Sequence, residues 1–197
     1  MAISRTELIN KALTLVGAEP VVNIDDDTRN ARVTNRVYEL SLKSILSEAP
    51  WVFALQRKLL SQVTDTLEWY DTGEVYLYQR PNECIRIFRA NDAKAAWKMV
   101  GDKIISDTNG LGVEFVYFNN TPSTYTASFV EAFVDKLCSD ISFMILNSKT
   151  VAENFLEKYE KVSLSKALAE NAQIGTPMYM QDDAWVLAKG GGNLYEV

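Results

Sequence analysis

Apolar residues recur about every fourth position between Phe129 and Ile141, and this period constrains the fold more than any other feature of the chain. The series is Phe129, Phe133, Leu137 and Ile141, and the opposite side of the segment is also partly apolar. A period near four places these side chains on one face of an α-helix, and the second apolar side indicates cover from more than one direction. The sequence therefore predicts a central helix from Phe129 onward, ending at residues 147–148.

Three further helices are predicted from capping and breaking residues. Residues 4–7, Ser-Arg-Thr-Glu, fit a capping box that begins a first helix, and Gly17 is placed to end it. A second helix is predicted over about residues 27–49, before a proline. Residues 150–153, Thr-Val-Ala-Glu, fit another capping box and predict a last helix toward Gln173.

The middle third of the chain has a different pattern, with short runs rich in β-branched and aromatic residues. Gly101-Asp102 is typical of a tight hairpin turn between two of these runs. The predicted β-like runs are residues 75–78, 85–89, 94–99, 103–105 and 112–118.

These elements together predict an α+β fold: a bundle of four main helices, an inserted small antiparallel β region and an extended C-terminal tail. Residues 1–55 and 120–174 are predicted to form one discontinuous helical domain, with residues 56–119 as the β-rich insert and residues 175–197 as the tail. The 197 residues are enough for one domain with a sizeable core that carries such an insert.

An apolar patch follows the second helix, and we expect it to be a structural junction. Pro50, Trp51 and Phe53 stand where the helices give way to the β region. Because large aromatic side chains usually pack in cores, Trp51 and Phe53 are predicted to fill this junction.

The C-terminal tail has no sustained period but is too rich in large apolar residues for a disordered segment. Two interpretations remain: the tail packs on its own domain, or it docks on a neighbouring chain with its aromatic residues as anchors. Gly190–Gly192 within it are interpreted as a hinge or linker. The predicted partner-interface residues are Met178, Tyr179, Trp185, Leu187, Leu194 and Tyr195.

The chain contains no histidine and has a formal charge of −6. The lack of histidine excludes Ser-His-Asp and Cys-His catalysis and the H-E-x-x-H zinc motif, and no glycine-rich phosphate motif occurs. Cys84 and Cys138 are predicted to be buried free thiols. Residues 25–27, three aspartates, are interpreted as acids at a helix N-terminus rather than a calcium loop. We therefore predict no enzyme activity and no catalytic, metal or cofactor-binding residues.

Two weaker chemical alternatives remain in the middle of the chain. Glu68 lies near Asp71, Glu74 and aromatic residues, an arrangement that glycoside hydrolases use, but acids near an aromatic also occur by chance in an acidic protein. Arginines alternating with aromatic residues could contact nucleic acid, or form a solvated strand face, and a net acidic chain favours the second interpretation. These arginines are Arg80, Arg86 and Arg89.

The order of several segments resembles the tail tubular protein A family, the head-to-tail adaptors, or gatekeepers, of short-tailed bacteriophages. Residues 50–54, Pro-Trp-Val-Phe-Ala, with Arg57 are similar to its Pro-Trp-x-Phe-Ala signature, and residues 81–87 to its Pro-x-Asp/Glu-Cys-hydrophobic-Arg turn. Further similar segments are residues 7–21, residues 27–38 and the helix from Phe129. The resemblance spans about residues 3–170, and the tail is the least alike.

The resemblance implies a structural virion protein at the head-tail junction, made in the host cytoplasm. It would form a twelve-membered ring between the portal protein and the tail nozzle protein, and double-stranded DNA would pass through the lumen without sequence-specific binding. The helices would then face the portal, and the β region the nozzle. Twelve chains of formal charge −6 carry −72 together, and an acidic lumen would repel DNA phosphates. The alternatives are a tail-associated carboxylate-type cell-wall hydrolase and a small protein-binding regulatory domain.

No apolar run approaches the ~20 residues that span a membrane. Residues 1–7 are polar and lack the basic and apolar regions of a signal peptide. The sequence therefore predicts no membrane partner and synthesis in the cytosol.

Overall fold

A computed structural model describes residues 3–64 and 76–174. Short 3₁₀ turns precede the first strand and the third helix, and α4 continues into α5 through a single π-helical turn, Tyr159–Ser163. The α-helices are α1 (Arg5–Leu15), α2 (Arg29–Glu48), α3 (Ala127–Leu146), α4 (Lys149–Lys158) and α5 (Leu164–Ile174).

The strands form two antiparallel sheets. The three-stranded sheet has the order β1-β7-β4, and the four-stranded sheet has the order β2-β3-β6-β5. The strands are β1 (Leu55–Leu59), β2 (Gln62–Val63), β3 (Tyr76–Gln79), β4 (Cys84–Ala90), β5 (Trp97–Val100), β6 (Lys103–Ser106) and β7 (Gly112–Tyr117).

Side-chain caps explain where the first helices begin. Ser4 Oγ accepts a hydrogen bond from Glu7 N at 3.2 Å, and Glu7 Oε2 accepts one from Ser4 N at 2.6 Å, which confirms the predicted capping box. Thr28 caps α2 by accepting from Ala31 N. The second helix therefore begins two residues later than predicted, at Arg29.

The last helical segment differs from its prediction at its start and in its interior. The expected capping box at residues 150–153 is wrong, because Ser148 caps α4 by accepting from Val151 N. The helix toward residue 173 is also interrupted by the π-helical turn. This turn places Ser163 on the buried Asp135 of α3, which Lys158 also contacts.

The larger core lies among the helices, and α2 and α3 pack against each other within it. Ser41 on α2 donates a hydrogen bond to Asp140 on α3, and Arg29, near the start of α2, reaches the carbonyl of Met144, near the end of α3. The two helices therefore pack antiparallel. The fully buried large side chains of this core include Leu8, Ile9, Tyr38, Leu42, Ile45, Trp51, Phe129 and Phe133.

The three-stranded sheet lies between the helices and the other sheet. Val116 on one face of β7 belongs to the helical core, whereas Val113 and Phe115 on the other face pack with Tyr78 and Ile104 of the four-stranded sheet. Successive strand residues face opposite sides of a sheet, so β7 connects the two cores.

The predicted architecture, a bundle of four main helices with a small inserted antiparallel β region and an extended tail, is wrong. The described chain is mixed helix and sheet, with two separate antiparallel sheets and seven strands. The physical reason is that β1 pairs with β7 along five residues, and this sheet shares its core with the helices instead of projecting from them. The proposed domain division stays a prediction.

Several local β predictions are confirmed. β5 and β6 form a hairpin around Gly101, whose φ of +62° is the left-handed conformation that a glycine adopts easily. β3, β4 and β7 fall within a residue or two of their expected positions. The separate strands β1 and β2 were not predicted individually.

Candidate functional site

The junction residues lie at the centre of an aromatic cluster. Trp51 is fully buried, and its ring centroid lies 4.8 Å from that of Phe129 in an edge-to-face arrangement. Phe53 lies 4.7 Å from Phe129 and 5.2 Å from Tyr125. Aromatic pairs at these distances contribute about 0.5–1.5 kcal/mol beyond their burial. The cluster therefore fixes the segment that enters β1.

The far end of α5 is held at the same junction. Asn171 Nδ2 donates to the carbonyl of Pro50 at 3.1 Å, and its Oδ1 accepts from Val52 N at 2.9 Å. Glu170 accepts from Ser128 N at the start of α3. The last described turn of the chain is therefore attached beside the segment that begins β1.

The predicted interface residues of the tail lie outside the described residues, as do the acids and aromatics of the hydrolase alternative. The tail residues are Met178, Tyr179, Trp185, Leu187, Leu194 and Tyr195. The acids and aromatics are Glu68, Trp69, Tyr70, Asp71 and Glu74.

The three arginines considered for nucleic acid each contact a protein group. Arg80 donates to the carbonyl of Cys84, and Arg86 donates to the carbonyl of Ser47 at 3.0 Å. Arg89 binds the carboxylate of Glu114 at 2.9 Å. Each guanidinium thus has a structural contact within the protein.

The two thiols are buried, and one aspartate of the triplet is paired with an arginine. Cys84 and Cys138 are free and buried. Burial, and next the charge of Asp135, raise the pKa of Cys138 to about 12, so its thiolate is scarce at neutral pH. Asp27 pairs with Arg32 at 3.1 Å. Among residues 3–64 and 76–174, no group of three or more acid or cysteine side chains could hold a metal ion.

A row of three charged residues crosses the three-stranded sheet on the face that also meets the helices. Arg57 on β1 and Arg89 on β4 both lie opposite Glu114 on the middle strand. Arg57 Nε lies 2.5 Å from Glu114 Oε2, and Arg89 Nε lies 2.9 Å from Oε1. One carboxylate therefore holds two guanidinium groups.

The middle of this row is buried and its edge is exposed. The side chain of Glu114 is 11% exposed, whereas that of Arg57 is 77% exposed. Burial alone would raise the pKa of Glu114, but hydrogen bonds and charges from Arg89 and Arg57 outweigh it and lower the pKa. Glu114 is therefore a fixed anion that orients two cations.

The row lines an open groove of about 910 Å³, called here the arginine groove. Three cations, Arg57, Lys58 and Arg89, and two carboxylates, Asp92 and Glu114, line it. Apolar surface is added by Leu59, Phe88 and Trp97. The arginine groove can therefore hold an anionic group beside an aromatic one.

The side chain of Asn91 lines the arginine groove and is held there by two hydrogen bonds to the backbone. Its Oδ1 accepts from Gly112 N at 3.0 Å, and its Nδ2 donates to the carbonyl of Gly110 at 3.3 Å. A Cβ at position 112 would lie 3.2 Å from the Asn91 side chain. Glycine at position 112 therefore permits the Asn91 side chain to lie close to the backbone of β7.

Sequence reasoning missed the arginine groove. Arg57 and Glu114 stand 57 positions apart and face each other only because β1 pairs with β7. The one available signal was the opposite charge of two strand-like segments, which does not identify a register.

The end of α3 exposes a second notable surface. Phe143, Met144 and Leu146 are 56%, 48% and 38% exposed within a single turn. They are called the α3-end patch here. Clustered exposed apolar residues are typical of protein contacts.

Among the described helices, none combines the length and apolar character that crossing a membrane requires. Comparison with known proteins gives no family: no protein-family model matches the chain, and no curated protein matches it.

Proposed function

We propose that the protein is a structural virion component, the subunit of a head-to-tail adaptor ring through which viral DNA passes. The support is the ordered series of segments that resembles the tail tubular protein A family, above all Pro50–Ala54 with Arg57. In the folded chain, Trp51 and Phe53 of this motif fill the aromatic junction, and Arg57 begins the charged row. The motif residues therefore have definite physical roles in the fold.

As an adaptor, the protein would contact the portal protein, the tail nozzle protein and other copies of itself. Double-stranded DNA would pass through the lumen of a ring of twelve subunits without sequence-specific binding. The protein would belong to the virion tail at the head-tail junction. No catalytic role is part of this proposal.

The α3-end patch supplies a surface for contacts between subunits. Its three side chains expose apolar area that the described chain does not cover, and burial of such area favours association by about 25 cal/mol per Å². The tail, with Trp185 and Tyr195, would add a second contact to a neighbouring subunit or to the portal.

Native mass spectrometry of the purified chain, alone and then mixed with its cognate portal protein, tests the proposal. A closed ring of many copies, formed alone or only with the portal, is the expected result. A strict monomer that ignores the portal would contradict the proposal and return attention to the hydrolase and regulatory alternatives.

A matched pair of substitutions tests the α3-end patch within the same experiment. Met144 and Met99 are 48% and 47% exposed, but Met99 lies on β5 of the other sheet. Met144→Asp is expected to weaken ring formation, whereas Met99→Asp leaves it intact. Equal effects of the two variants on ring formation would contradict the assignment of the α3-end patch to the subunit interface.

Trp185→Ala tests the tail contact. It is expected to weaken assembly with the ring or the portal while the monomer stays folded. An equal loss of monomer melting temperature would instead place Trp185 in the core of its own domain.

A further inference from the structure

The arginine groove has the charge to hold an acidic segment. The described residues of its lining include three cations and two carboxylates, whereas the chain as a whole has a net charge of −6. One of these cations, Lys58, also lies 3.8 Å from the carboxylate of Glu83. Arg57 is 77% exposed at the rim, and Glu114 orients its guanidinium from below. Guanidinium groups keep several donors in a rigid plane, so Arg57 can bind Glu114 and a second carboxylate together.

The rim of the arginine groove also presents an open strand edge and an apolar surface. β1 is an outer strand of its sheet, and no described strand pairs with its free edge. Leu59 on this edge is 68% exposed, and the Phe88 ring lies in the groove lining. An extended peptide with acids followed by an aromatic residue would match this combination.

The chain's own C-terminal segment has that composition. Residues 181–185 read Gln-Asp-Asp-Ala-Trp, with two adjacent carboxylates and an indole two residues later. Two carboxylates match the cations of the rim, and the indole matches the apolar lining.

The position where the described chain ends allows this segment to reach the arginine groove. Asn171 holds the last turn of α5 to Val52 at 2.9 Å. Arg57 follows Val52 by five residues, at most roughly 18 Å away along an extended chain, whereas the eight residues from Ile174 to Asp182 span up to about 27 Å.

The approach also lies on the correct side of the sheet. Leu55, two residues before Arg57 on β1, packs against the helical core. Since alternate strand residues share a face, Arg57 points to the same side as the helices. The segment need not cross the sheet to reach it.

We propose that, in the free chain, residues 181–185 of the same molecule dock in the arginine groove, with Asp182 and Asp183 on the Arg57 rim and Trp185 on its apolar lining. Because the segment is tethered, docking takes place at a high effective concentration and needs only modest affinity. This inference does not depend on the adaptor proposal, since it concerns a contact within one molecule.

Chymotrypsin cleavage after Trp185, followed by mass spectrometry of the full-length chain, tests the docking. A synthetic peptide of residues 175–197 gives the intrinsic cleavage rate. We expect the full chain to be cleaved at least about tenfold more slowly than the peptide, because one charge-assisted contact contributes roughly that factor. A full chain cleaved as fast as the peptide would overturn the proposal.

Variants on each side of the contact identify the partners. Arg57→Gln, and separately the pair Asp182→Asn with Asp183→Asn, are expected to bring cleavage near the rate of the matching peptide. Arg32→Gln is the control, because Arg32 is an exposed arginine on α2 paired with Asp27, and it should leave the slow rate unchanged. Wild-type protection in either set of variants would overturn the proposal.

The tail variants keep the test valid if Arg57→Gln disturbs the fold, because they alter no described residue. A reversed pair, Arg57→Glu with Asp183→Arg, is expected to recover at least part of the protection. A protection that grows with protein concentration would overturn docking within one molecule and assign the arginine groove to a second copy. Protection that survives both tail substitutions would overturn the proposal, because the two aspartates would then not hold the segment in the arginine groove.

Discussion

Trp51 Nε1 donates a hydrogen bond to the carbonyl oxygen of Ile45 over 2.9 Å, and both residues are fully buried. Ile45 belongs to the last turn of α2, whose final carbonyls have no partner within the helix. Trp51 therefore satisfies the end of one helix while its ring fills the core against α3. The two contributions can be separated by substitution.

Trp51→Ala is expected to lower the free energy of unfolding by about 3–5 kcal/mol, because it leaves a large cavity as well as an unsatisfied carbonyl. Trp51→Phe keeps most of the ring volume and should lose about 1–3 kcal/mol. Urea unfolding followed by circular dichroism measures both. Phe143→Ala, at an exposed aromatic residue, is the control and should cost less than about 0.5 kcal/mol. Equal stability of wild type and Trp51→Ala would contradict the assigned role.

Asp135 joins three helical segments and should be similarly sensitive. Its side chain is 4% exposed and accepts hydrogen bonds from Lys158 at 2.8 Å and from Ser163 in the π-helical turn. Asp135→Ala is expected to cost about 2 kcal/mol and to increase amide exchange over residues 158–163, because both contacts are lost.

Asp27→Ala is the matched control for this variant. Asp27 is 91% exposed and also paired with a cation, but an exposed pair contributes at most about 1 kcal/mol. Unchanged amide exchange in the π-helical turn of Asp135→Ala would show that other contacts hold the turn.

Features set by neighbouring residues could be predicted from the sequence. The capping box at Ser4, the stop of α3 at Asn147 and the hairpin at Gly101 each depend on a few adjacent positions. Their determinants are side-chain caps and residues that tolerate positive φ, and these can be recognised without knowledge of the remaining fold.

Features set by distant pairing could not be predicted in the same way. The segment Leu55–Leu59 has no clear alternation, and its strand is determined by β7 more than fifty residues later. The π-helical turn depends on Asp135 in another helix. The error in the overall architecture and the missed arginine groove have this common origin, because register and sheet partner are non-local properties.

The buried thiols give a prediction on chemical reactivity. Burial raises the pKa of Cys84, and burial together with Asp135 raises that of Cys138 to about 12. Both should react with a disulfide reagent at least about a hundredfold more slowly in the folded chain than in urea. A cysteine introduced at Val22, which is 94% exposed, should react rapidly in the same buffer. Fast reaction of two thiols in the folded wild type would contradict the burial.

The charged row gives a prediction on the pH dependence of stability. Burial would raise the pKa of Glu114, but Arg89 and Arg57 together hold it below its ordinary value of 4.5. A carboxyl group whose pKa is lowered in the folded state stabilises the fold fully at pH values above its unfolded-state pKa. This contribution is lost as the pH falls through the folded-state pKa. The stability difference between wild type and Glu114→Gln should therefore be full above pH 4.5 and shrink below it.

Urea unfolding midpoints measured from about pH 6 to about pH 3 provide the test, since this range covers the titration of a carboxylate with a lowered pKa. Glu153→Gln is the control, because Glu153 forms an exposed pair with Lys149 and should alter stability by less than about 0.5 kcal/mol throughout. A difference for Glu114→Gln that stays constant through this range would contradict the proposed coupling, because stability would then not depend on the ionisation of Glu114. Convergence of the wild-type and Glu114→Gln unfolding midpoints below pH 4.5 would show that the negative charge of Glu114, and not only the shape of its side chain, holds Arg57 and Arg89 across the sheet.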